Sequence, residues 1–357
     1  MKRQSLAALA AVVGLVAAGC GGSGSGSGSS SAGAAPATGG GSTPTVGIMV
    51  GGLNKQIYLP VMLAQQLGFY AKHGVTVELT DEPAGVDAES AMLAGQVDGV
   101  VGFYDHTIDL QGKGKSAQSV VQLLQLPGEV ELCRVDLQGQ IRSPADWAGK
   151  KLGVTGLGSS TNFLTKALAE RAGLAVADTT SIPVQAGATF IAAMQHKAID
   201  CGMTTEPTVS ALLGRGQAYV LVDMRSLQGT QKALGGLYPA SCLYMQTSYV
   251  TSHRATVQRL VDAFVDTLHW IHGHTAAEIA DKMPPEYYKG IGKAAYVKAL
   301  EGEKDIFTTD GVMPAAGPDM VLKVLQGFNP QLAGKHIDLA QTYSTEFAKA
   351  ASVGSGS

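Results

Sequence analysis

Residues 91–98 read AMLAGQVD, and residues 193–200 read AMQHKAID. Each has Ala-Met, four residues, then a β-branched residue and Asp. Each opens as a helix and runs into a strand, VDGVVGFYD in one case and IDCGMTTEP in the other. The offset is 193 − 91 = 102 residues. Upstream of each, at a similar offset, lies an apolar strand with a glycine turn: TVGIMVGGLN from Thr45 and KLGVTGLGSS from Lys151. Agreement at both ends of the unit, in the same order, outweighs chance similarity between alanine-rich helices. It implies an approximate duplication and two similar lobes.

Between these anchors the pattern alternates. TVGIMV is a strand, and GGLNKQIYLP is a glycine turn with Pro60 near a helix start. VMLAQQLGFYAKHG is a helix ended by Gly74, and VTVEL is a strand again. Strands alternating with helices predict α/β architecture with mainly parallel sheets. IRSPADWAGKKLGV opens the second lobe, with Ser143 as a helix cap, Pro144 in the first turn and Asp146 favoured there by the helix dipole. That lobe ends near AYVLVDM. LYPASCLYMQTSYV is a strand, followed by a long helix with Val257, Leu260, Val261, Phe264, Leu268 and Ile271 on one stripe. Helical segments continue to about Ala350. The last third has no glycine-turn unit of its own, so it is expected to pack back on the first lobe. This predicts lobe 1 at 45–138 and 239–350, lobe 2 at 139–238, and crossings near 137–143 and 235–241.

The chain has 357 residues, 45% hydrophobic and 15% charged, with a net charge of −3. No basic stripe for nucleic acid is present. No apolar run of transmembrane length follows the N-terminus. Met1-Lys2-Arg3, the apolar Leu6 to Ala18 and the small residues before Cys20 form an export signal over 1–19. Ala17-Ala18-Gly19-Cys20 resembles a bacterial lipobox, although Ala17 stands where leucine is commonest. The resemblance implies cleavage before Cys20 and lipid on its thiol; the alternative is an ordinary secretory signal. Residues 20–44 are a Gly/Ser-rich flexible tether. Of the remaining cysteines, Cys133, Cys201 and Cys242, at least one must be a free thiol. Cys133 and Cys242 lie in strand-like runs and would be in reach of a disulfide if those strands are neighbours; otherwise they are buried thiols. No spacing suggests a metal, and no cofactor is expected.

Ligands of open parallel sheets bind beyond the carboxyl ends of the strands. That rule selects Gly51-Gly52-Leu53-Asn54 and Tyr104-Asp105-His106 in the first lobe. In the second it selects Gly158-Ser159-Ser160-Thr161 and Thr205-Glu206-Pro207. GLGSST lacks the lysine of a Walker loop, the last glycine of GxGxxG and the spacing of GxSxG. What remains is capture of an anion or dipole by helix N-terminal amides and hydroxyls, or simple capping. Tyr104 could contact a ligand or pack at the rim. Glu206 could accept from an amine or cap the helix after Pro207. Asn54, Tyr58 and Tyr238 are weaker candidates.

Four stretches carry a family resemblance: P-VMLAQQLGFYAKHGVTVEL, ESAMLAGQVDGVV, SPADWAGKKLGV with GLGSST, and AMQHKAIDCGMTTEPTVSALL with AYVLVDM. Their order and spacing over 45–250 resemble the extracytoplasmic solute-binding proteins of ABC importers, in the nitrate, sulfonate, taurine and thiamine-precursor-binding group. The resemblance implies a two-lobed type II periplasmic-binding-protein fold with a two-segment hinge. It implies a monomer, lipid-anchored outside the cytoplasm, that traps a small solute and delivers it to a membrane permease. Gly158 to Thr161 match the place where sulfonate and nitrate binders meet their anion, which implies an alkanesulfonate-, taurine- or nitrate-like ligand. Tyr104, Asp105 and His106 would also suit a pyrimidine or another aromatic solute. The cysteine-rich motif of the family's pyrimidine-forming enzymes is absent, which speaks against an enzyme. Two alternatives remain: a secreted hydrolase or pyrimidine-forming enzyme using Ser159, Ser160 or His106, and a sensor domain feeding a signalling partner.

Overall fold

The computed structural model describes residues 43–351. The export signal, Cys20 and most of the expected tether lie outside the described residues.

Among the described residues, ten strands form two five-stranded sheets. The first holds β1 (Thr45–Val50), β2 (Thr76–Asp81), β3 (Gly99–Phe103), β4 (Ala117–Gln122) and β10 (Ser241–Gln246), in the order β2-β1-β3-β10-β4. The second holds β5 (Val130–Arg134), β6 (Lys151–Val154), β7 (Thr180–Pro183), β8 (Cys201–Thr204) and β9 (Ala218–Asp223), in the order β7-β6-β8-β5-β9. The two orders are the same when β1, β2, β3, β4 and β10 are read as β6, β7, β8, β9 and β5. The repeat seen in the sequence is therefore a repeat of topology. β1, β2 and β3 run parallel, as do β6, β7 and β8. β10 and β5 each run antiparallel to both neighbours. Each of them is the strand that enters a sheet after the chain has crossed from the other.

That exchange corrects the expected boundary. β5 pairs with β8 and β9 in the second sheet. The first crossing thus lies between Gln122 and Val130, upstream of 137–143, and 130–138 belong to the second lobe. The second crossing lies between Asp223, the end of β9, and Ser241, the start of β10. VELCRV looks the same from sequence whichever sheet it joins; the partner strands decide.

The same pairing corrects the disulfide. Cys133 sits directly opposite Cys201 in the β5–β8 ladder and is bonded to it. Cys242 lies on β10, in the other sheet, as a buried free thiol. The first helical run divides at Gly68 (φ +72°) into α1 (Leu59–Gln66) and α2 (Phe69–Lys72). Pro144–Trp147 is a single 3-10 turn, with Asp146 accepting the amides of Arg142 and Ser143.

Further helices flank the sheets: α3 (Gly85–Leu93), α4 (Asp105–Gly112), α5 (Ser160–Arg171), α6 (Ala188–Gln195), α7 (Thr208–Gly214), α8 (Leu227–Leu234), α9 (Thr247–Ser252) and α10 (Arg254–Gly273). The expected stripe of α10, from Val257 to Ile271, is fully buried. It packs on α1 and α2, so the C-terminal third does return to the first lobe. Among the described residues no helix is long and apolar enough to cross a membrane.

Candidate functional site

Helix α5 carries the lobes' contact. It starts at Ser160 because Ser159 is extended (φ −75°, ψ 162°) while the next residues turn helical. Gly158, at φ +95°, makes the turn before it. The loop's three hydroxyls are all engaged. Ser159 Oγ accepts the amide of Val86 in the first lobe at 3.2 Å. Ser160 Oγ donates to Asp105 Oδ1 at 2.7 Å. Thr161 Oγ1 accepts the Thr155 amide at 3.0 Å, tying the loop to its own strand. The Gly158 amide donates to Asn162 Oδ1.

Asp105 is the centre of this contact. It opens α4 at the carboxyl end of β3 and is fully buried. Its second oxygen accepts from the Tyr238 hydroxyl at 2.9 Å. Tyr238 lies in the second crossing, so the first lobe, the second lobe and the hinge meet on one carboxylate. Burial raises the Asp105 pKa, and His106, Ser160 and Tyr238 offset part of that rise. A backbone bond from the Gln56 amide to the Glu206 carbonyl, 3.1 Å, is a further lobe-to-lobe link.

The other expected residues divide. Tyr104 points into the first lobe, where its hydroxyl meets Thr342 Oγ1 at 2.5 Å and its ring meets Tyr343 edge-on. His106 Nδ1 bonds Glu89 Oε2 at 2.5 Å, and its ring stacks on Tyr244. Burial disfavours its charged form, but Glu89 and its other acidic neighbours win, and its pKa is raised. Glu206 is held by Arg225 at 2.9 Å and by the Ser210 amide, with a pKa raised by burial and partly offset by those partners. Asn54 is exposed and Leu53 half-buried, its amide on Asp81. Gly52 is buried at φ +106°, and a Cβ there would sit 2.5 Å from Lys55 Cε.

Lys55 is therefore the residue the GGLN turn delivers inward, and sequence reading missed it. Its ammonium donates to the carbonyls of Gly51 (2.5 Å) and Pro83 (3.2 Å). Burial lowers its pKa to about 8, with Glu129 and Asp81 opposing the fall. Glu129 and Glu131 were also missed. In PGEVELC they alternate with Val130 and Leu132, a pattern that reads as an ordinary half-solvated strand. Both are buried. Burial raises both pKa values well above the carboxylate range; Asp105 adds to the rise at Glu129 and Glu129 adds to it at Glu131. Away from these loops, a cavity of about 710 Å³ on the second lobe is lined by residues including Arg142, Arg171, Val220 and Lys232.

The profile of the family described as "NMT1/THI5 like" matches residues 56–277. The chain belongs to this family. The NMT1/THI5-like match takes in Asp105, the whole second sheet, both crossings and β10, that is, every strand-end loop except GGLN. A solved structure from Bordetella bronchiseptica RB50 is 33% identical, covers 86% of this chain and 96% of that one, and superposes with a TM-score of 0.82. The alkanesulfonate-binding protein SsuA from Xanthomonas axonopodis pv. citri, bound to MOPS, is 18% identical over 84% of this chain and 98% of that one, with a TM-score of 0.68. This NMT1/THI5-like chain thus has the type II periplasmic-binding-protein fold. Its curated relative, a 4-amino-5-hydroxymethyl-2-methylpyrimidine phosphate synthase from Legionella pneumophila, is 30% identical over 147 residues, 41% of this chain and 44% of that protein. The chain matches less than half the length of that relative.

Proposed function

We propose that this protein is the solute-binding receptor of an ABC importer. It is held outside the cytoplasm by lipid on Cys20, traps a small solute between its lobes and presents the closed form to a membrane permease. The observation that carries the reading is Asp105. A fully buried carboxylate of the first lobe is bonded to Ser160 of the second and to Tyr238 of the hinge. Strand-end loops that meet on buried polar groups make a cleft whose closure a bound solute can stabilise.

The solute lies among Gly52, Leu53, Lys55, Asp105, Gly158 to Thr161 and Glu206. Alkanesulfonate binding by the Xanthomonas neighbour supports an organic anion. The Legionella relative supports a pyrimidine instead. We infer binding without turnover. The Ser159 hydroxyl accepts the Val86 amide, Ser160 donates to an Asp105 carboxyl that Tyr238 also holds, and His106 faces Glu89 rather than either serine. Calorimetric titration with sulfonates, nitrate, pyrimidines and aromatic acids is expected to give saturable binding by one class, with the solute recovered unchanged. Chemical conversion of the bound solute would overturn the receptor reading.

A further inference from the structure

Strand β5 and the residue just before it carry two acids, Glu131 and Glu129, that the lobe-to-lobe bonds leave unused. Along a strand the side chains alternate between faces. Val130 and Leu132 enter the apolar cluster behind the second sheet with Phe190 and Met194. Glu131 and Cys133 therefore face the other way, Glu131 beside Thr165 of α5, and Glu129 lies next to Glu131 and near Asp105 and Lys55. Glu129 is 2% exposed and Glu131 fully buried. Neither Glu131 oxygen has a hydrogen-bond partner, nor does Oε2 of Glu129. A group of different kind in the same space is also unpartnered. The Thr165 hydroxyl on α5, 1% exposed, lies beside Glu131 without reaching a full hydrogen bond. Buried polar atoms normally have partners, and buried carboxylates above all. Asp105 adds to the negative field at Glu129. Lys55 opposes it, but its ammonium is committed to two backbone carbonyls.

We propose that Glu129 and Glu131, with the Thr165 hydroxyl, receive a protonated nitrogen of the solute: an ammonium, an amidinium or the protonated ring of an aminoheterocycle. This rests on the receptor reading and adds the charge class of the ligand. An aminoalkanesulfonate would set its ammonium on this pair and its anion toward the start of α5. An aminopyrimidine would set its amino and ring N–H groups there.

The test is calorimetric titration of the full chain with solutes matched except for the nitrogen: taurine against isethionate, cytosine against uracil, and the best binder of the wider panel against its counterpart lacking the group. The member with the protonatable amino or amidine-type nitrogen is expected to bind tighter by about 10-fold or more. Glu131→Gln and Glu129→Gln are expected to abolish that preference. Their ligand-free melting temperatures should equal or exceed the wild type, because a buried acid without partners has been replaced by an uncharged amide of nearly the same shape. A purely structural role for the acids would lower them. A best binder with no protonatable nitrogen, or a preference that survives both substitutions, overturns this inference and leaves the receptor standing. No binding by any solute removes both.

Discussion

At Lys55 a single side chain sets a measurable pH dependence. Its pKa is near 10.5 in the unfolded chain and about 8 in the fold, because burial penalises the ammonium. Below pH 8 both states hold the proton and the penalty is present in full. Between pH 8 and 10.5 the unfolded chain holds more protons, so stability rises with pH. The rise attributable to this group is roughly 3 kcal/mol. Urea denaturation of the wild type against Lys55→Met, followed from pH 7 to 10.5, should show the difference between the two curves shrinking toward high pH; a constant difference would mean that Lys55 is not held with a depressed pKa. That Ser159, Ser160 and Thr161 stand at a strand-end turn and helix start was legible, because glycine, strand and helix period mark it. Lys55, Glu129 and Glu131 were not, because a charged residue after a turn or alternating along a strand usually faces water.

The strand that sequence reading assigned to the wrong lobe is also the one that decides the covalent framework. β5 has the composition of a strand in either sheet, and nothing in VELCR says which partners it will find. Once it lies antiparallel to β8, Cys133 and Cys201 are opposed, and the bond closes a loop with a sequence separation of 68. Closing a loop of this size restricts the unfolded chain by about 2–4 kcal/mol. Replacing Cys133 and Cys201 together by alanine should lower the denaturation free energy by that order. Adding reductant to the wild type should lower its melting temperature and leave the double variant unchanged. If non-reducing peptide mapping finds both thiols free, the assignment fails. The stripe of α10, by contrast, was readable in full, because a 3.6-residue period over twenty residues has one solution.

For the molecule as a whole, the question is what holds two lobes together. Ser160 to Asp105, Ser159 to the Val86 amide and Gln56 to Glu206 are the polar links. His106 and Phe328 (from the helix Gly317–Phe328) meet Phe163 of α5 as apolar ones. A hydrogen bond to a carboxylate contributes about 1.5–3 kcal/mol. Ser160→Ala should therefore open the ligand-free molecule, seen as a larger radius of gyration in solution scattering, and weaken solute binding by about 10-fold. An unchanged radius and affinity would mean that the Ser160–Asp105 bond does not hold the lobes closed.

By itself the sequence determined the two-lobed α/β plan, since strand, turn and helix periods are local and the repeat made them agree twice. It also marked the strand-end loops, because glycine and hydroxyl residues announce where a chain turns. The tertiary structure alone decided that β5 joins the second sheet, that Cys201 and not Cys242 bonds Cys133, and that Lys55, Glu129 and Glu131 line the interior. Those outcomes depend on which surfaces are brought together. Pairing and burial are properties of neighbours distant in the chain, and no residue's own identity encodes them.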